Sequence, residues 1–289
     1  MTTPSFLDDV VGSFSTGAAD NPTVAMMDAA FGAESLPWRY VNCEVEPADL
    51  TAAVDGARAM GWHGFNCSMP HKQAVIPLLD SLSPSATLCQ AVNCVVRIGG
   101  DGGAGGWVGH NTDGAGFVAS CRDLIDVTGV EAMVIGTGGA ASAIAVELGL
   151  AGAARVFVAG RDADRAAAVT HLVSDAGAGV GIVPWRDPLP IPDQVRLVVD
   201  ATPVGMTPDV EAAIDVDWST LAPDSVVGDV VFNPAETAFL RAAAEAGATT
   251  VDGTGMLVNQ AAENIRLWTG SRPATGPMRA ALEDAIGLS

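Results

Sequence analysis

Lysine is almost missing from this 289-residue chain: it occurs once, at Lys72, and arginine fills the other thirteen basic positions. Arginine keeps its charge and cannot exchange a proton near neutral pH, whereas a lysine amine can be tuned to do so, so one retained lysine points to proton chemistry. Basic charge as a whole is scarce, with 14 lysines and arginines against 34 acidic residues and a formal net charge of -20. That balance argues against a nucleic-acid partner, which needs a basic stripe, and against anionic membranes. No apolar run approaches the ~18–20 residues needed to span a bilayer, and the start of the chain lacks a signal peptide's basic and apolar segments, so a cytoplasmic protein is expected. The five cysteines, Cys43, Cys67, Cys89, Cys94 and Cys121, include no CxxC pair and no zinc spacing. They suggest neither a disulfide framework nor a metal site, and reduced thiols in the core or near the site are expected. Tyrosine also occurs once, at Tyr40.

Apolar material, by contrast, is plentiful: 49% of residues are hydrophobic, and a 29.3 kDa chain with mean hydropathy +0.32 can fill the cores of two modest domains. Lys72 lies in Asn66-Cys67-Ser68-Met69-Pro70-His71-Lys72. Residues 63–67 read as a short apolar strand and 70–79 as a helix with Pro70 in its first turn. Asn66, Ser68 and Lys72 then fall at a strand-to-helix junction, the edge where α/β sheets bind ligands. Ahead of it, a strand at 10–12 runs into Ser13-Phe14-Ser15. A helix through Met26 and Phe31 follows, with Asn21 as its cap and Pro22 at its first position, then a strand at 39–45 and a helix over 47–61. Beyond the junction, a strand at 91–97 and another at 107–110 form a hairpin across the glycine-rich 99–106 stretch, and Asn111-Thr112-Asp113-Gly114 leads into a helix ending near 124.

The second half reads differently. A buried-type strand at 131–135 meets Gly136-Thr137-Gly138-Gly139-Ala140-Ala141 and then a helix over 142–150. Strand, glycine turn and helix in that order form a dinucleotide fingerprint, in which glycines let the backbone approach a pyrophosphate and the helix N-terminus offers it free N–H groups. The next strand, 155–159, ends in Gly160-Arg161-Asp162. An arginine there suits the 2′-phosphate of NADP and an acidic residue suits NAD; with the arginine first, NADP is favoured and NAD stays open. Strands at 197–201, 226–232 and 249–251 follow, with a proline-rich loop at 184–192, a helix over 236–247, one opening at Gly253 and a last one over 277–286.

Taken in order, these motifs resemble the shikimate dehydrogenase family over nearly the whole chain. The resemblance implies an α/β architecture: an N-terminal α/β substrate domain, 1–112 with 256–289, and a Rossmann-type doubly wound parallel-sheet nucleotide domain, 113–255. It implies interconversion of 3-dehydroshikimate and shikimate with NADP(H), with Lys72 and Asp113 as catalytic pair. Ser13, Ser15, Asn66, Ser68, Asn93 and Gln260 would hold substrate. Gly136, Gly138, Gly139, Ala140, Arg161, Thr202, Gly253 and Met256 would line the cofactor cleft. The partners implied are small molecules only, for a monomer or homodimer. Two positions depart from the family pattern. Its Ser-x-Ser-Pro loop, whose serines hold the substrate carboxylate, keeps Ser13 and Ser15, but proline arrives at Pro22; an alignment through Pro22 puts Asn21 in a serine's place. Phe232 stands where the family usually has tyrosine. Quinate and an aminated shikimate are therefore alternative substrates, and a non-catalytic sensor of such acids is the rival outside enzyme chemistry.

Overall fold

The structure, a computed structural model, describes residues 7–99 and 106–287. The chain divides into two compact units, one running to Thr112 and resuming at Ala261, the other spanning Asp113–Gln260.

In the first unit the elements are β1 (Asp9–Ser15), α1 (Thr23–Ala33), β2 (Trp38–Glu44), α2 (Leu50–Ala59), β3 (Gly64–Cys67), α3 (His71–Ala74), β4 (Ser81–Leu82), α4 (Pro84–Cys89), β5 (Cys94–Ile98) and β6 (Gly106–His110). They form a mixed sheet of order β2-β1-β3-β5-β6-β4. β1 is parallel to both β2 and β3, so Ser13 lies level with Asn42 on one side and Asn66 on the other. Phe14 stacks on Phe65 at 4.6 Å between centroids, and Phe65 meets Trp107 edge-on at 5.4 Å. Aromatic pairs of this kind add to the burial of their own area, and they fix β1, β3 and β6 against one another. The antiparallel pairing of β5 with β6 forms the expected hairpin; its connection, 100–105, lies outside the described residues. The single helix expected over 70–79 is instead the four-residue α3 followed by a 3₁₀ turn, Ile76–Leu78. Pro77 accounts for the break, since it has no N–H to continue the ladder and its ring crowds the preceding turn.

The second unit contains α5 (Asp113–Cys121), β7 (Glu131–Ile135), α6 (Gly139–Leu150), β8 (Arg155–Gly160), α7 (Ala163–Asp175), β9 (Gly179–Pro184), β10 (Leu189–Pro190), β11 (Val195–Asp200), β12 (Val216–Asp217), β13 (Val226–Asp229), α8 (Ala238–Glu245) and β14 (Thr249–Val251). α9 (Gly253–Thr269) starts in this unit and ends in the first, which also holds α10 (Thr275–Ala285). The main sheet has the order β14-β13-β11-β7-β8-β9 and is parallel throughout. The chain enters at its middle, winds outward through β8 and β9, and returns to the other side at β11. This is the doubly wound pattern, with its switch point between β7 and β11. Along β7, Ala132 and Val134 join one apolar cluster while Met133 and Ile135 join another. Both faces of the strand are therefore covered, as a parallel sheet requires. Gly116 brings α5 close to α9: a Cβ there would lie 2.7 Å from the Met256 carbonyl oxygen.

Two buried carboxyls end neighbouring strands. Asp200 on β11 is level with Asp229 on β13, and both are fully buried. Asp229 accepts from the Thr237 hydroxyl at 2.7 Å and the Val231 N–H at 2.9 Å, and one oxygen of Asp200 accepts from the Thr202 N–H at 2.9 Å. Among the described residues, the other oxygen of Asp200 has no partner. Burial, with the Asp229 charge adding to it, raises the Asp200 pKa from 3.8 to about 7, and burial raises Asp229 to about 6. An acid whose pKa is higher in the folded state binds more protons there than when unfolded, so the pair costs stability as pH rises from about 4 to about 7. Asp200→Asn keeps the shape without the charge. It should raise stability at pH 8 by on the order of 2 kcal/mol and change it little at pH 4, measured by denaturant unfolding at both values. An equal effect at the two pH values would contradict the buried-charge assignment.

Candidate substrate and nucleotide sites

In the first unit a network of neutral polar groups runs across the sheet. Ser13 is buried on β1 and donates its hydroxyl proton to Asn42 Oδ1 at 2.9 Å. The Asn42 amide in turn donates to the carbonyls of Ala18 and Asn21, both at 3.1 Å. Asn21 also receives the Thr23 N–H at 3.0 Å, although Pro22 is the residue that directly precedes α1. Ser15 is buried at the end of β1. The Tyr40 hydroxyl donates to Asn66 Oδ1, and Asn66 Nδ2 donates to the Asn93 carbonyl, each at 2.9 Å. Burial pushes the Tyr40 phenol well above its ordinary pKa, raises the Cys67 thiol to about 12 and raises Cys94 as well. These groups stay protonated, so the cysteines are packing residues and not nucleophiles.

Asn93 is buried and bonded at both ends of its amide. Its Nδ2 donates to Thr112 Oγ1 at 3.0 Å, its Oδ1 accepts from the Thr112 N–H at 2.8 Å, and the Thr112 hydroxyl donates to Asn264 at 2.7 Å. Tyr40, Thr112 and Asn264 were not among the residues expected from sequence. Asn264 carries the clearest missed signal, a polar amide among the apolar positions of α9. Ser68 is exposed in the turn after β3, its N–H bonded to the Phe14 carbonyl at 3.2 Å and its carbonyl to the His71 N–H at 2.8 Å. These bonds and the Val92 N–H on the Lys72 carbonyl, 2.7 Å, fix the backbone that carries the half-buried Lys72. His71 is wholly buried, with Nε2 2.8 Å from the Val45 carbonyl.

In the second unit Asp113 is buried in the first turn of α5, and Gln260 is half-buried on α9. A cavity of about 400 Å³ opens at the switch point, lined by Gly136, Thr137, Gly138, Gly160, Arg161, Asp162, Arg165, Trp185, Ala201, Thr202, Pro203, Val204 and Ile214. Gly136 has φ +118°, which only glycine adopts readily. A Cβ on Gly138 or Gly139 would meet no protein atom within 4 Å, so the backbone before α6 is open to a ligand. α6 is 12 residues long with Gly138 as its N-cap, and its first N–H groups have no partner within the helix. An open glycine backbone and a free helix N-terminus fit a dinucleotide pyrophosphate.

At the end of β8 the exposed Arg161 and Arg165 both line this cavity, and Arg165 also donates to the Thr137 carbonyl at 3.1 Å. Asp162 is occupied as the N-cap of α7, accepting from the Asp164 and Arg165 N–H groups at 3.0 and 3.1 Å. Arg165 was not foreseen from sequence, because its approach to the glycine turn depends on α7 being docked. Of the remaining cofactor candidates, Gly139 and Ala140 form the first turn of α6, while Gly253 and Met256 lie on α9 outside the lining. Gly253 has a packing role: a Cβ there would run into the Val230 and Val231 carbonyl oxygens. Among the described residues, no cluster of histidine, cysteine and acidic side chains could hold a metal ion, and no helix is long and apolar enough to cross a membrane.

Known proteins resemble this chain over nearly its whole length. Residues 20–95 match the shikimate dehydrogenase substrate binding domain, a match that begins after the Ser13–Ser15 segment, and residues 253–283 match the shikimate 5'-dehydrogenase C-terminal domain. The chain is 35% identical to the shikimate dehydrogenase (NADP(+)) of Desulforamulus reducens, over 96% of this chain and 95% of that one. Its structure resembles the ligand-free 5-ketofructose reductase of Gluconobacter sp. strain CHM43, with TM-score 0.91 and 43% identity, covering 97% of this chain and 99% of that one. It also resembles the quinate dehydrogenase of Corynebacterium glutamicum in complex with NAD, with TM-score 0.83 and 33% identity, covering 96% and 99%. The identity extends through both units, and the chain belongs to the shikimate dehydrogenase family of oxidoreductases.

Proposed function

We propose that the protein interconverts a ketone and a secondary alcohol on a polyhydroxylated substrate with NADP(H), using Lys72 and Asp113 as its catalytic pair. The observation that carries this reading is the combination, in one member of this family, of a single lysine in α3, just beyond β3, with an open glycine cradle flanked by two arginines. The pair 3-dehydroshikimate and shikimate is supported by the names of the curated relatives. Held by the residues of this cavity, NADP(H) would supply the hydride chemistry at the carbonyl carbon. Lys72 delivers the matching proton to the carbonyl oxygen and stabilises the charge that develops there, while Asp113 orients the amine. Ser13, Ser15, Asn66, Ser68, Asn93 and Gln260 hold the substrate's oxygens. Arg161 and Arg165 meet the 2′-phosphate of NADP, while Asp162, at the place of the acidic reader typical of NAD sites, gives one carboxylate oxygen to capping α7. A second reading, reduction of an uncharged keto-sugar, is favoured by the 43% identity and TM-score of 0.91 to a 5-ketofructose reductase.

The reaction is tested by following nicotinamide absorbance with shikimate or quinate and either oxidised cofactor, and with 5-ketofructose and either reduced one. NADP-linked turnover of at least one compound is expected, and none with any would overturn the proposal. Lys72→Arg keeps the charge but has no neutral form at working pH, so kcat should fall by about 10²–10⁴ with a smaller change in substrate affinity by calorimetry. A near-normal kcat would remove the proton-transfer role. Arg161→Ala and Arg165→Ala should each weaken NADPH use by roughly 10- to 100-fold and spare NADH, the cost of a charge-assisted hydrogen bond. Equal losses with both cofactors would remove the 2′-phosphate role.

A further inference from the structure

We infer that Glu44 makes this substrate site selective for uncharged hydroxyketones over carboxylates. The inference deepens the proposed function and rests on the reading that the first unit holds substrate. Ser15 and Glu44 are level at the ends of the parallel strands β1 and β2. Just beyond Ser15 the chain turns through Gly17, at φ +79° and ψ +31°, into a 3₁₀ turn at Ala18–Asp20. The successive N–H groups of Gly17 and Ala18 point at the two oxygens of Glu44, at 2.6 and 2.8 Å. Consecutive N–H groups around a left-handed residue form a concave anion-binding nest. Here the anion in the nest is the protein's own.

A substrate carboxylate brought to this end of β1 would find the backbone donors taken and a negative charge in their place. Ser13 cannot supply a replacement, because its one hydroxyl proton goes to Asn42, whose amide is itself bonded to the Ala18 and Asn21 carbonyls. Of the cations on or beside these strands, Arg39 pairs with Asp8 at 3.1 Å, and Lys72 is given to the reacting carbonyl in the proposed function. The groups that do line these strand ends, Ser13, Ser15, Tyr40, Asn42 and Asn66, are neutral hydroxyls and amides. Such groups match the donors and acceptors of sugar hydroxyls and provide nothing to offset a full negative charge. Like charge placed against a ligand is a recognised means of rejecting it.

The test compares shikimate with its methyl ester in the wild-type enzyme, and 3-dehydroshikimate with 5-ketofructose, each with the matching NADP form. The uncharged member of each pair should have the higher kcat/KM, by about tenfold or more, through KM. Glu44→Gln, checked for folding by its thermal melt, should shift the ester-to-acid ratio toward the acid by about tenfold. A wild-type preference for the carboxylates would overturn the inference and leave the proposed oxidoreductase function standing. Turnover of neither pair, and none of quinate, would remove the function and the inference together. The wild-type comparison decides the matter even if the variant fails to fold.

Discussion

The double hydrogen bond between Asn93 and Thr112 is the constraint on which the substrate side of the molecule depends. Asn93 grips both the backbone N–H and the hydroxyl of Thr112, and the Asn93 carbonyl receives the Asn66 amide. The same chain of bonds continues to Tyr40 on one side and Asn264 on the other. Every member is buried or nearly so, and a buried polar group without a partner costs about 1–3 kcal/mol, so the network holds as a unit or is lost as one. It fixes Thr112, the residue directly before Asp113, and the strands that carry Tyr40 and Asn66. The half-buried Lys72 is the one lysine beside thirteen arginines.

The nucleotide unit follows a different physical logic. Its parallel sheet buries both faces, and the strand ends collect the polar groups that the core excludes. All lie at the carboxyl edge of the sheet: the open glycines before α6 and the two arginines on the β7 and β8 side of the switch point, and Asp200 and Asp229, whose carboxyls burial makes harder to ionise, on the β11 and β13 side. Asp200 is bonded to the N–H of Thr202, and Thr202 lines the cavity.

Features encoded locally were legible in the sequence. The glycine turn after β7 was readable because only glycine permits the Gly136 conformation and the open backbone that follows. The parallel strands were readable because continuous Val, Ile and Ala runs are what a two-sided core demands. The helix after Pro70 was overextended because its apolar spacing masked the interruption at Pro77. Arg165, Asn264 and Glu44 escaped notice for a shared reason: each acts on a partner 28, 152 or 26–27 residues away, and only the folded chain brings them together. The Ser13 and Ser15 spacing was visible, but the commitment of the Ser13 proton to Asn42 was not.

The central claim, hydride transfer to a substrate ketone with the proton supplied separately, is tested most directly by isotope tracing. NADPH deuterated on one face of its nicotinamide C4, then on the other, would be supplied with 3-dehydroshikimate and with 5-ketofructose, and the alcohol product examined by NMR. The expected result is deuterium bound to the new carbinol carbon from one cofactor face only, with the hydroxyl proton drawn from water. Cofactor oxidation without label on that carbon, or label from both faces alike, would contradict it.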